Sequence, residues 1–180
     1  MKIMRRTIKF YNKKMTKRFW SWLLTLHGEP HAIAGGFALG LALAFTPTVG
    51  IQMLLAVVIA TPLNLNRAAS IVPLWISNPL TIVPIYAFSY WIGSFFINGP
   101  SYPEVVEKLR MLTLSLEELD PLALHEHFSA VLGLGLNVFL AMTLGGLIVG
   151  IPLGILSYYL LLPVLEKRQK NRKSKVPTEP

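Results

Sequence analysis

Two clusters of uncharged polar side chains stand beside prolines in an otherwise apolar chain. Thr46, Thr48 and Gln52 flank Pro47, and Ser77, Asn78 and Thr81 flank Pro79. A proline breaks or kinks a helix and pushes the residue before it out of the helical region, so each cluster comes with backbone N–H and C=O groups that lack helical partners. Hydroxyl and carboxamide groups suit two tasks there: capping the broken helices, or lining a path for a polar substrate. Half-helix N-termini facing a gap attract an anion such as a phosphate headgroup. Between the clusters, Asn66 and Arg67 end a short polar connection that begins at Pro62. Arg67 reads either as an interfacial anchor or, folded inward, as a second contact for the same anion.

Covalent chemistry finds little support. The chain has no cysteine, so thiolate catalysis, disulfides and Cys-ligated metals are excluded. Acyl transfer needs a nucleophile paired with a base, and hydrolysis needs paired carboxylates or metal ligands. Neither break contains Asp, Glu or His. His27 and His31 bracket Glu29, and His125 and His127 bracket Glu126; interfacial histidines explain both pairs better than a metal does. The expectation is a non-enzyme without metal or cofactor.

The elements that must position the polar clusters are long uncharged stretches. Ala68 to Ile97 contains no Asp, Glu, Lys, Arg or His, and as one helix it would be roughly 45 Å long, more than a bilayer core of about 30 Å. It reads as a broken membrane-embedded helix centred on Asn78-Pro79. Ala32 to Thr61 is likewise uncharged and breaks at Phe45 to Gly50. Its two arms of about fourteen or fifteen residues fit a re-entrant hairpin or one long helix kinked at Pro47. The last apolar run, Phe128 to Leu165, accounts for one tilted, kinked span. Small residues recur every four positions at Ala32, Gly36, Gly40 and Ala44 and at Gly146, Gly150 and Gly154. That spacing permits close helix approach in lipid and marks packing seams.

Charge sets the topology. The chain has 180 residues, 53% of them hydrophobic and 14% charged, with a net charge of +8 and a mean hydropathy of +0.51. Eight Lys or Arg lie between Lys2 and Arg18, and six more between Lys167 and Lys175. Met4, Ile8, Tyr11, Met15, Phe19, Trp22 and Leu26 repeat at helical spacing against the first basic group. Residues 1–27 therefore read as an amphipathic interfacial helix lying on an anionic leaflet. Tyr102 to His127 carries six acids against Lys108 and Arg110, as expected of an extracytoplasmic segment within residues 99–127. Two basic ends on the cytoplasmic side require an even number of crossings. The expected architecture is an all-α integral membrane protein with broken or re-entrant helices and about two full transmembrane crossings. Residues 28–165 form its single membrane-embedded domain, and 166–180 a basic disordered cytoplasmic tail. Membrane anchoring explains the basic ends better than nucleic acid binding.

The chain resembles the DUF2062 family of bacterial membrane proteins. The resemblance is carried by Ala34-Gly35-Gly36-Phe37-Ala38-Leu39-Gly40, by Phe45-Thr46-Pro47 with Gly50 and Gln52, by Asn66-Arg67-Ala68-Ala69, and by Trp75-Ile76-Ser77-Asn78-Pro79-Leu80-Thr81 with Pro84, Tyr86 and Gly93. It covers roughly residues 30–159 and implies a multi-pass protein of the bacterial cytoplasmic (inner) membrane, with no catalytic residue to carry over. The broken helices are similar, by weaker analogy, to the re-entrant architecture of DedA-like lipid transporters. Two functions follow as expectations. One is a small transporter or a handler of lipid or anionic substrates, with membrane lipids, above all anionic headgroups, as partners. The other is a non-catalytic scaffold or assembly partner of a lipid-linked glycan or envelope pathway, working as a homo-oligomer or with a membrane partner.

Overall fold

The computed structural model describes Leu26, residues 28–118 and residues 132–173. The expected amphipathic helix over residues 1–27 and the second histidine pair lie outside the described residues. Among them every regular element is helical: α1 (Pro30–Ala44), α2 (Gln52–Ala60), α3 (Arg67–Ile71) running into a 3₁₀ segment (Val72–Ile76), α4 (Pro79–Gly93), α5 (Tyr102–Glu118) and α6 (Leu136–Lys173). Pro30 opens α1 at a position where a missing N–H costs little.

The first uncharged stretch doubles back. After α1, Thr48 N–H donates to the Thr46 carbonyl and Ile51 N–H to the Thr48 carbonyl, while Gly50 takes a φ of 89° that only glycine adopts without strain. These turns consume residues expected to be helical, so α2 has nine residues rather than fourteen or fifteen and is about 13 Å long. Asn64 at φ 54° turns the chain again, and Asn66 N–H then donates to the Ala32 carbonyl at 2.9 Å. That bond returns the chain to the first turn of α1, which makes α1 and α2 a hairpin and not a single kinked helix.

From Asn66 the chain runs alongside α1. A Cβ on Gly36 would lie 2.4 Å from the Asn66 carbonyl oxygen, and one on Gly40 would lie 1.9 Å from that of Ser70. Ala44 then packs with Leu74 and Ala56. The pairs advance together by four residues, so α3 and its 3₁₀ continuation follow α1 in the same direction. Beyond the 3₁₀ segment the axis turns by 91° into α4.

Helix α6 binds the other pieces together. It is 38 residues long, about 57 Å, and continues past the end of the apolar run at Leu165 through Lys173, well into the segment read from the sequence as a disordered tail. Glu, Lys, Arg and Gln are good helix formers, which lets the helix propagate. Over Leu136–Asn171 it is long and apolar enough to cross a membrane. Its glycines receive neighbouring backbone directly. Hypothetical Cβ atoms on Gly145, Gly146, Gly150 and Gly154 would lie 1.9, 2.2, 2.5 and 2.7 Å from the carbonyl oxygens of Ser89, Phe45, Ala42 and Ala38. Gly36 and Gly40 of α1 thus face α3, Gly146, Gly150 and Gly154 of α6 face the other side of α1, and Gly145 faces α4.

Helix α5 is less solvated than its acids suggest. Val105 and Leu109 are fully buried with Ile82, Tyr86, Val138 and Met142, while Glu104, Glu107, Lys108 and Arg110 stay outside. Lys108 pairs with Glu104 at 3.0 Å.

Replacing Gly40 or Gly150 by Leu is expected to cost about 1–3 kcal/mol, because the new side chain must displace backbone and not merely a flexible neighbour. Ile148→Leu on the exposed face of α6 should change stability by less than about 0.5 kcal/mol. Unfolding in detergent measures both, and equal stability of all three variants and wild type would defeat this account of the seams.

Candidate functional site at the paired helix breaks

The parallel course of α1 and α3 decides where the breaks go. With Gly36 beside Asn66 and Ala44 beside Leu74, the first break at Phe45 to Ile51 and the second at Ser77-Asn78 arrive at the same level. Ser77 Oγ lies 3.4 Å from Gln52 Oε1 and 3.0 Å from the Leu74 carbonyl, two acceptors that share its one hydrogen. The two breaks are therefore joined side chain to side chain, over 25 residues of sequence.

Each break also satisfies much of its own backbone. Thr46 N–H and its hydroxyl both reach the Leu43 carbonyl, the hydroxyl at 2.7 Å, and its Oγ1 lies 3.1 Å from Thr48 Oγ1. At the second break Asn78 N–H donates to Thr81 Oγ1 at 2.9 Å, so the third helical residue reaches back to the residue before the helix, as in one half of a capping box. The one hydrogen of the Thr81 hydroxyl is shared between the Ile76 and Asn78 carbonyls. Thr46, Pro47, Gln52 and Ser77 are buried, whereas Thr48, Asn78 and Thr81 are half-buried.

Asn66 and Arg67 do not join this centre. Asn66 caps α3, its Oδ1 accepting from Ala69 N–H at 2.9 Å. Arg67 is exposed beside it. Both sit level with Gly36, nine residues of α1 from the break, or about 13 Å. A capping role requires them at the start of α3, which is the end far from Ser77.

Two residues that sequence reasoning did not single out as polar groups complete the centre. Ser89 of α4 donates to the Phe45 carbonyl at 3.1 Å, which ties the open end of α1 to α4. The Tyr86 side chain is 0% exposed. Ser77 lies within interaction range of its hydroxyl, yet no hydrogen bond of ordinary geometry satisfies that hydroxyl among the described residues. The available signal was helical spacing: Ile82, Tyr86, Ser89 and Gly93 share one face of α4, and that face meets both the break and α6. The carboxamides of Gln52 and Asn78, the hydroxyls around them and the freed backbone of this centre suit hydrogen bonding to a polar or anionic group. They offer no nucleophile–base pair, and no cluster of three or more His, Cys, Asp or Glu occurs among the described residues.

With this geometry in place, comparison with protein families gives a match over most of the chain. The profile described as an uncharacterized protein conserved in bacteria (DUF2062) matches residues 13–174, further at both ends than the residues that first suggested the resemblance. Comparison with curated proteins and with solved structures gives no match.

An unpaired buried hydroxyl costs about 1–3 kcal/mol in lost hydration. Tyr86→Phe removes that cost and little else, so it should raise the unfolding free energy in detergent by about 1 kcal/mol. A loss of similar size would show that the hydroxyl is bonded in the resting protein.

Proposed function

The chain belongs to the DUF2062 family of bacterial proteins, and from that premise we propose that it is a small multi-pass protein of the bacterial cytoplasmic membrane that handles a lipid or small anionic substrate at its paired breaks. The observation that carries this reading is the Tyr86 hydroxyl. It is buried, no hydrogen bond of ordinary geometry satisfies it among the described residues, and it lies beside Ser77, whose contact with Gln52 joins the two breaks. Buried polar groups in folded proteins are paired in the great majority of cases, and the exceptions call for a reason. A substrate oxygen entering between the breaks supplies one: Tyr86, Ser77 and Gln52 would bind it, and Asn78 and Thr81 at the mouth of α4 would guide it in.

On this reading α6 is one crossing and the bent pair of α3 with its 3₁₀ continuation and α4 is the other. The α1–α2 hairpin enters the membrane and returns. The basic residues before Arg18 and after Glu166 then face the cytoplasm, and the acidic segment that includes α5 lies outside. A second reading, as a scaffold or assembly partner of an envelope pathway, draws support from the burial of Thr46, Pro47, Gln52 and Ser77, since breaks that only cap and pack need never part.

Flux in proteoliposomes separates the two. Wild type should move a headgroup-labelled anionic phospholipid or radiolabelled phosphate faster than protein-free vesicles do, and Asn78→Ala and Tyr86→Phe should lower that rate at least about tenfold, Tyr86→Phe at wild-type stability or better and Asn78→Ala with a smaller loss of stability than of rate. Tenfold corresponds to about 1.4 kcal/mol, the scale of one hydrogen bond to a charged group. Absence of flux for both probes would leave the scaffold. Single cysteines in place of Lys13, Glu117 and Arg172 test the topology: only the second should be labelled from outside intact cells, and the reverse pattern would refute the two-crossing arrangement.

A further inference from the structure

The seam between α1 and α6 changes character along its length. Beside the closest approach of Gly150 and Gly154 to Ala42 and Ala38, an open apolar groove of about 370 Å³ is lined by Ala38, Ala42, Gly154, Ile155, Tyr158 and Tyr159. Small residues on both helices hold the backbones together but cannot fill the space beside them. The groove ends at a polar clasp, where the Tyr158 hydroxyl lies 2.8 Å from His31 Nδ1 and Glu166 Oε1 lies 3.6 Å from His31 Nε2. Beyond the clasp, still between the start of α1 and α6, is a smaller pocket of about 60 Å³ bordered by Pro30, Ile33, Leu165, Arg168 and Gln169. Lys167 and Lys170 flank it on exposed positions. Gly154 to Arg168 is fourteen residues of helix, about 21 Å.

We propose that this seam binds one anionic phospholipid, with an acyl chain in the groove and the phosphate at Arg168 and Lys167. The order of environments matches such a molecule: an apolar slot for the chain, hydroxyl and imidazole groups at the depth of the ester linkages, then cations for the phosphate. Aromatic hydroxyls belong at the membrane–water interface, and cationic pockets between helices on the cytoplasmic side hold anionic headgroups. Two acids stand at this end among the described residues, Glu29 at the start of α1 and Glu166, whose carboxylate is directed at His31; Arg168, Lys167 and Lys170 outnumber them. Charge also argues against a second copy of the chain as the occupant. A copy in the same membrane with the same orientation would bring its own Lys167, Arg168 and Lys170 to the same level, and like charges there repel. The inference rests on α6 crossing the membrane, and is independent of whether the breaks transport anything.

The test is native mass spectrometry of the full-length protein in detergent, titrated with phosphatidylglycerol, with phosphatidylcholine of the same chains, and with inorganic phosphate. One phosphatidylglycerol should be retained per chain in preference to phosphatidylcholine, and inorganic phosphate should not displace it. Arg168→Ala and Lys167→Ala should each weaken retention roughly fivefold, the effect of one interfacial cation. Ile155→Trp, an exposed position that fills the groove, should abolish retention while leaving the melting temperature in lipid-free detergent unchanged. Equal retention of both lipids, insensitivity to Ile155→Trp, or dimers that Ile155→Trp dissociates would each overturn the proposal, the last by giving the groove to a second copy. A flux defect without loss of lipid retention would bear on the breaks alone.

Discussion

The architecture depends on backbone-to-backbone contact that a single methyl group would forbid. Six carbonyl oxygens, those of Asn66, Ser70, Ser89, Phe45, Ala42 and Ala38, lie between 1.9 and 2.7 Å from where Cβ atoms of Gly36, Gly40, Gly145, Gly146, Gly150 and Gly154 would be. Real Cβ atoms do not approach so closely, so no other residue fits without backbone movement. Where helices meet in an apolar medium there is no hydrophobic gain from the meeting, and dispersion between closely fitted surfaces takes its place. Helix α1 receives such contacts from both sides, from α3 along Gly36 and Gly40 and from α6 along Ala38 and Ala42. It is the fixed strut of the molecule.

The placement of the breaks follows from that strut. A chain leaving the first turn of α1 at Asn66 and running alongside it reaches the level of Phe45 after about three turns, where the 3₁₀ segment ends. Gln52 and Ser77 meet there because two arms of matched length begin together, with no long-range attraction required. Meeting has a thermodynamic benefit of its own. Freed backbone and hydroxyl groups without water cost several kcal/mol each in hydrocarbon, and the Ser77–Gln52, Ser89–Phe45 and Thr81–Asn78 bonds remove much of that cost.

Helical class and the existence of both breaks were legible in the amino-acid sequence, because uncharged stretches too long for one span and prolines within them leave few options. Small residues four apart were equally visible. Their partners were not: spacing shows that Gly40 and Gly150 lie on close-packing faces, but only the fold shows that one meets Ser70 and the other Ala42. The length of α2 was misjudged because Gly50 and Asn64 adopt positive φ and spend residues on turns, a choice imposed by the need to return to Ala32. Burial of Val105 and Leu109 was masked by the charge of their neighbours, although their four-residue separation on α5 is an apolar stripe. Tyr86 looked like one more aromatic residue in an apolar helix, since nothing local reveals that its hydroxyl lands against a break 9 residues away in sequence.

The same asymmetry of packing indicates which piece yields if the breaks separate. Helix α1 is gripped on two faces by glycine contacts, and α4 is held to α6 where the Gly93 and Gly145 backbones pass each other. Helix α2 has neither kind of contact. Its nine residues bury Gln52, Ala56 and Ala60 and expose Met53, Leu54 and Val58. Of its ties to the centre, the Gln52–Ser77 bond is long at 3.4 Å, and the turn that precedes it contains the one glycine of the break, Gly50, at φ 89°. A tilt of α2 about Gly50 would part Gln52 from Ser77 while every glycine seam stayed closed. Rigidity in α1, α4 and α6 and looseness in α2 are thus two results of one distribution of small side chains, with the Gln52–Ser77 contact at the border between them.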